Sequence, residues 1–121
     1  MDVINREECE PFVTKDTSEI REIMAYRNSA CKNISLAEAT IYPDRSTEPH
    51  YHDESEEIYY FLSGSGHMQL GDEELDVGPG DAVFIPPGTV HQTWNTGNEK
   101  LVFLCLCAPP YEHEDTELVD G

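Results

Sequence analysis

His50 and His52 stand one residue apart in "HYHDESEEIYYFLSGSG", residues 50 to 66. On a strand, alternate residues share a face, so both imidazoles would point to one side at a separation that a single metal ion can bridge. Tyr51 then points away. Five residues after His52, Glu57 opens the apolar run "IYYFLS", and on a strand its carboxylate can face the two histidines while Glu56, of opposite parity, faces out. The run ends at Gly64, where a turn needs a residue free of Cβ constraints. A third imidazole, His91, lies in "GDAVFIPPGTVHQTWN", residues 80 to 95. Pro87 and Gly88 fit positions i+1 and i+2 of a type II turn, Pro fixing φ and Gly supplying φ > 0. A lone histidine is more often structural, but this turn, with Asn95 and Gly97 closing the strand, would aim His91 into the same interior as His50 and His52.

These spacings carry a resemblance. His50-x-His52-x4-Glu57-x6-Gly64 is similar to the first motif of the cupin superfamily, and Gly80-x5-Pro86-x-Gly88-x2-His91-x3-Asn95 is similar to the second. The 15 residues between Gly64 and Gly80 match the short spacer of small single-domain microbial cupins. One departure stands at position 44, where the motif usually has Gly and this chain has Asp44, which should loosen the entry turn without touching a ligand. The resemblance implies an all-β double-stranded β-helix, a jelly-roll barrel. It implies one cupin domain over residues 1–121, with the barrel at about 33–108, an N-terminal extension at 1–32 and an acidic tail at 109–121. It further implies one divalent metal ion, with manganese, iron, nickel or zinc as candidates, held by His50, His52, Glu57 and His91. Three neutral imidazoles and one carboxylate leave a 2+ ion with net positive charge, and an octahedral ion would keep two positions for water, substrate or oxygen.

The elements that must position these residues read as strands. Short β-branched and aromatic runs alternate with Gly, Pro, Asp and Asn breaks, as in "SLAEATIYP", "EEIYYFLSG", "DAVFIPPG" and "LVFLCLCAPP". "LGDEEL", residues 70 to 75, looks like a hairpin turn. Only "TSEIREIMAYR", residues 17 to 27, has a helical period, with Thr17 or Ser18 as a possible cap; the cupin resemblance makes part of it extended. The tail "PPYEHEDTELVDG" begins with two prolines that stop a strand and is expected to run over the surface.

Composition narrows the partners. Of 121 residues, 25 are acidic and 7 are Lys or Arg, a formal charge of −18 that would repel nucleic acid phosphates and anionic membranes. The N-terminus lacks the apolar core of a signal peptide, and no stretch reaches the roughly 18 apolar residues of a membrane span. A cytoplasmic location is expected, and with it reduced thiols at Cys9, Cys31, Cys105 and Cys107. Cys105 and Cys107, at i and i+2 of a strand, would sit roughly 6.6 Å apart, near the outer limit for a disulfide, and read as packing thiols.

Around the four-residue site, parity turns Tyr59 and Phe61 inward as an aromatic wall, with Tyr59 a candidate proton donor. The same parity would turn Glu48 inward beside His50 as a second candidate proton mover, unless Pro49 breaks the alternation. His67 is expected on the outer face with Gln69, and His113 either over the barrel mouth or in solvent. Trp94, opposite in parity to His91, together with "SLAEATIYP" and "LVFLCLC", offers apolar strand surface for a homodimer. The leading functional reading is a metal-binding cupin acting on a small oxygen-rich metabolite, by decarboxylation, dioxygenation, isomerisation or lyase chemistry that the sequence does not choose among. The alternative is a non-catalytic small-molecule-binding or sensor protein.

Overall fold

The structure, a computed structural model, describes residues 1–119. In chain order the strands are β1 (Phe12–Val13), β2 (Glu19–Met24), β3 (Ser35–Ile41), β4 (His50–His52), β5 (Glu56–Ser63), β6 (Gly66–Leu70), β7 (Glu73–Val77), β8 (Ala82–Ile85), β9 (His91–Asn95), β10 (Leu101–Ala108) and β11 (Thr116–Leu118). Two single turns of 3-10 helix, Arg6–Glu8 and His113–Asp115, complete them. Among the described residues no helix is long and apolar enough to cross a membrane.

The strands form two antiparallel sheets, one ordered β1-β2-β3-β10-β5-β8 and the other β11-β4-β9-β6-β7. This is the jelly-roll barrel expected from the sequence, and period-2 burial shows why these runs became strands: β10 alternates buried and half-buried over its whole length, and so does β9. On β5 the inward set is Glu57, Tyr59 and Phe61, and on β10 it is Leu101, Phe103, Cys105 and Cys107. Register then places Phe103 opposite Phe61, Cys105 opposite Tyr59 and Cys107 opposite Glu57. One half of the interior is thus apolar and the other half polar. Phe61 and Phe103 pack with centroids 4.9 Å apart in the apolar half, and burying each stabilises the fold by about 1.5–3 kcal/mol.

Turn chemistry agrees with the sequence in detail. Thr89 N–H donates to the Pro86 carbonyl at 3.3 Å and Gly88 has φ 75°, the Pro87-Gly88 type II turn. Gly71, at φ 57°, turns β6 into β7. Asp44 does not loosen its turn. It takes φ 66°, the left-handed conformation a glycine would take, and Arg45 N–H closes the turn on the Tyr42 carbonyl at 3.2 Å; Asp tolerates this region better than most residues.

The N-terminal end takes the extended form that the cupin resemblance implied rather than the helical one of its period, and the C-terminal end departs from expectation. The segment with helical period holds a strand, β2, paired with β3 from Glu19 opposite Thr40 to Met24 opposite Leu36. Tertiary pairing overrides a weak helical signal here, because Ile20 gains contact with the buried core by lying flat on the barrel. Thr17 is no helix cap but a loop residue at φ 75°. The acidic tail does not simply run over the surface. Thr116, Glu117 and Leu118 pair with His52, Tyr51 and His50, and Thr116 is 2% exposed.

Candidate metal centre

Two strands of the smaller sheet, β4 and β9, and one of the larger, β5, converge on the polar half of the interior. His50 and His52 flank Tyr51 on β4, and His91, the first residue of β9, pairs directly with His50. All three are buried, and their ring nitrogens lie within 4.8 Å of one another. From the opposite sheet Glu57, also buried, brings Oε1 to 2.9 Å from His52 Nε2 and 3.5 Å from His91 Nε2. The four residues singled out in the sequence are therefore together.

The hydrogen bonds on the far side of each ring set its tautomer. His50 Nδ1–H donates to the Glu48 carbonyl at 2.8 Å, and His91 Nδ1–H donates to the Thr89 carbonyl at 3.0 Å, since a carbonyl can only accept. Thr116 donates its hydroxyl proton to the Glu112 carbonyl at 3.2 Å and so accepts from His52 Nδ1–H, also at 3.2 Å. In the neutral imidazoles every Nε2 is then a bare lone pair aimed inward. Cys107 Sγ–H donates to Glu57 Oε2 at 3.2 Å, which leaves Oε1 free. Among the described residues neither Glu57 Oε1 nor His91 Nε2 has a hydrogen-bond partner although both are buried. Buried polar groups are rarely left so. Three imidazole lone pairs and a carboxylate oxygen, with no donor between them, fit a borderline divalent cation.

Charge in the site follows from burial and neighbours. His50 is pushed below the ordinary histidine value, first by burial and then by the proximity of His91. For His52 burial acts in the same direction, but the contact with Glu57 and the charges of Glu57, Asp115 and Asp16 outweigh it and raise its pKa. Burial would raise Glu57, yet its contacts with His52 and His91 prevail and hold the carboxyl well below its usual range. Glu57 is thus an anion in this setting.

Other expected residues divide. Tyr59 is buried, lines the cavity beside the histidines and stands edge-on to His91 at 5.9 Å between centroids. Phe61 is inward but does not line the cavity; Phe103, which packs over it, takes the wall position. Glu48 is a correction: its side chain is exposed and absent from the lining, and only its carbonyl serves the site. The strand starts at His50, beyond Pro49, so alternation does not extend back to position 48. His67 lies on the outer face between Asp76, at 2.9 Å, and Glu74, at 3.3 Å. His113 is exposed and borders a shallow depression that shares Thr14, Glu22 and Tyr111 with the cavity.

Sequence reasoning missed Asp16, Tyr111, Thr116 and Cys107. Asp16 Oδ2 lies 3.3 Å from His50 Nε2. Tyr111 lines the cavity with its ring 6.1 Å from that of His52 and its buried hydroxyl without a hydrogen-bond partner among the described residues. The only local signal for any of them is T-K-D-T-S, residues 14 to 18, a pattern in which Asp folds back onto nearby hydroxyls and amides.

A two-sheet antiparallel barrel with three inward histidines beside a carboxylate defines the class: a jelly roll with a group able to hold a metal ion. Residues 37–107 match the Cupin domain family, and the chain belongs to it. It is 44% identical over 114 residues to the uncharacterized protein MJ1618 of Methanocaldococcus jannaschii, covering 94% of this chain and 91% of that one. It is 34% identical over 95 residues to the glucose-6-phosphate isomerase of Thermococcus kodakarensis, covering 68% of this chain but only 50% of the isomerase. Among solved structures, the polyketide cyclase RemF of Streptomyces resistomycificus superposes with a TM-score of 0.84 at 25% identity, over 100% of this chain and 87% of RemF.

Proposed function

We propose that this chain is a divalent-metal cupin in which His50, His52, Glu57 and His91 hold one ion, and that a small oxygen-rich metabolite binds to that ion directly. The observation that supports it is the inward convergence of three imidazole lone pairs and Glu57 Oε1, two of these atoms buried without a hydrogen-bond partner. Manganese, iron, nickel and zinc all suit such a nitrogen and oxygen set. A bound ion supplies Lewis-acid polarisation of a ligand oxygen.

The cavity's own residues select the ligand. Its walls include Ile20, Ala39, Tyr59 and Phe103, and among the described residues no Lys or Arg lines it. Arg27, in the adjoining depression, is already paired with Glu22 at 2.9 Å and Glu112 at 3.0 Å. Among the described residues a phosphate would find no unpaired basic side chain there, so a sugar phosphate, the substrate class in the names of the archaeal isomerases, fits this cavity poorly. An unphosphorylated keto acid, hydroxy acid, diol or enol with an apolar portion fits better. Burial pushes the Tyr59 phenol well above its ordinary value, so Tyr59 stays protonated and serves as a hydrogen-bond donor to the ligand. Tyr111 offers a second hydroxyl.

Calorimetry and turnover screening of metal-loaded and chelator-stripped protein against those four ligand classes test this reading. Binding and any turnover should require the ion. Equal binding by both forms would make the ion structural and end the proposal.

We also propose that residues 1–121 act as one cytoplasmic cupin domain and pair as a homodimer. Supporting the dimer is the outer face of the larger sheet, where Ile58 is 44% and Phe84 53% exposed beside Tyr60 and Leu62. Contiguous exposed apolar surface of this kind is what protein–protein contacts cover. Light scattering at micromolar concentration should give twice the chain mass of 13.7 kDa; a monomeric mass would rule the pairing out.

A further inference from the structure

Asp16 sits on the loop between β1 and β2, more than thirty residues before the first of the motif histidines, yet it is 8% exposed and lines the same cavity as they do. Its two oxygens have different surroundings. Oδ1 accepts from Ser18 N–H at 2.9 Å, from the Ser18 hydroxyl at 2.6 Å and from the Thr14 hydroxyl. That saturates one side of the carboxylate and fixes the plane of the group. The Asp16 carbonyl also accepts Glu48 N–H at 2.7 Å, which ties the loop to the residues leading into β4. Held on both sides, the carboxylate directs Oδ2 to 3.3 Å from His50 Nε2.

That approach joins two acceptors. His50 Nδ1–H is committed to the Glu48 carbonyl, so the neutral ring presents a lone pair to an anionic oxygen. Two such atoms repel unless a cation lies between them. Neighbouring ligand atoms around an octahedral ion with bonds near 2.1 Å stand roughly 3 Å apart. Asp16 Oδ2 meets that spacing at His50, and Glu57 Oε1 meets it at His52, 2.9 Å away, and at His91, 3.5 Å away, on either side of the three histidines whose ligand atoms lie within 4.8 Å of one another.

We propose that Asp16 is a second carboxylate ligand of the ion, reaching it from the N-terminal segment on the His50 side while Glu57 reaches it from the His52 and His91 side. The proposal rests on the metal reading above. Its chemical consequence is specific: two carboxylates would cancel the charge of a divalent ion, and a ligand that chelates through two oxygens would compete with Asp16, which the loop's own donors would continue to hold at Oδ1. The N-terminal segment becomes part of the centre rather than an appendage to it.

Manganese binding by calorimetry and the visible spectrum of the cobalt-loaded protein, compared between the unaltered chain and Asp16→Asn, test the assignment. Asn keeps the size of the side chain and an oxygen for Thr14 and Ser18. The variant is expected to bind Mn2+ about tenfold or more weakly and, once loaded with Co2+, to show shifted d–d bands because a ligand has changed. A weaker affinity with an unchanged cobalt spectrum would reduce Asp16 to a nearby charge and overturn ligation, as would unchanged affinity. Failure of the unaltered chain to take up either ion would overturn the metal reading itself. Should Asp16→Asn not fold, Ser18→Ala removes one Oδ1 donor while leaving the carboxylate in place; Mn2+ affinity should fall about tenfold, and no change would count against the proposal.

Discussion

His52→Ala is expected to weaken Mn2+ or Zn2+ binding by about 100-fold or more, because loss of a direct ligand should exceed the tenfold to hundredfold cost typical of losing an outer-shell partner. The change removes one of three converging Nε2 atoms and the 2.9 Å contact that places Glu57 Oε1. It also strands the Thr116 hydroxyl, which then has no imidazole N–H to accept. Affinity in the unaltered protein should fall as pH drops through the histidine range, since protons compete for the same lone pairs. The raised pKa of His52 and the lowered pKa of His50 in the ion-free protein make His52 the stronger of these two competitors. Competition against a chromophoric chelator gives the constants, and circular dichroism confirms the fold. An affinity within threefold of the original would remove His52 from the ligand set.

The four motif residues were readable in the sequence for a local reason. His50, His52 and Glu57 are fixed relative to one another by strand parity and one short connection, and His91 by a turn whose Pro and Gly announce its type. Residues brought in by long-range pairing left no such trace. Thr116 meets His52 across 64 positions because β11 pairs with β4, and Cys107 meets Glu57 across 50 because β10 pairs with β5. Neither register is encoded near the residues it joins. Glu48 shows the converse failure, a parity argument carried across a proline where the strand had not yet begun. The period of residues 17 to 27 fails by the same limit, and only the cupin resemblance made part of that segment extended: β2 exists because β3 offers it an edge, which a helical period in isolation could not reveal.

The largest stability effect is expected from Gly64→Ala, and it can be separated into its causes. Gly64 has φ +89°, where an L side chain is strained at a cost of about 1–3 kcal/mol. Its added Cβ would lie 2.5 Å from the Lys100 carbonyl oxygen and 2.8 Å from Leu101 Cα. Both are main-chain atoms, and Leu101 is fully buried at the start of β10. Relief therefore needs the β5–β6 connection and β10 to separate, an overpacking cost of about 1–3 kcal/mol more. Gly80→Ala isolates the first cause: φ there is +92°, and nothing lies within 4 Å of the new Cβ. Thermal unfolding of the ion-free proteins should show Gly80→Ala lowered by roughly 5 °C and Gly64→Ala by roughly 10–20 °C, against a total stability of about 5–15 kcal/mol for a domain of this kind. Equal shifts at the two positions would mean that backbone strain alone set the requirement for glycine. A clear excess at Gly64 would show instead that the first motif ends in glycine because the start of β10 passes too close for any other residue.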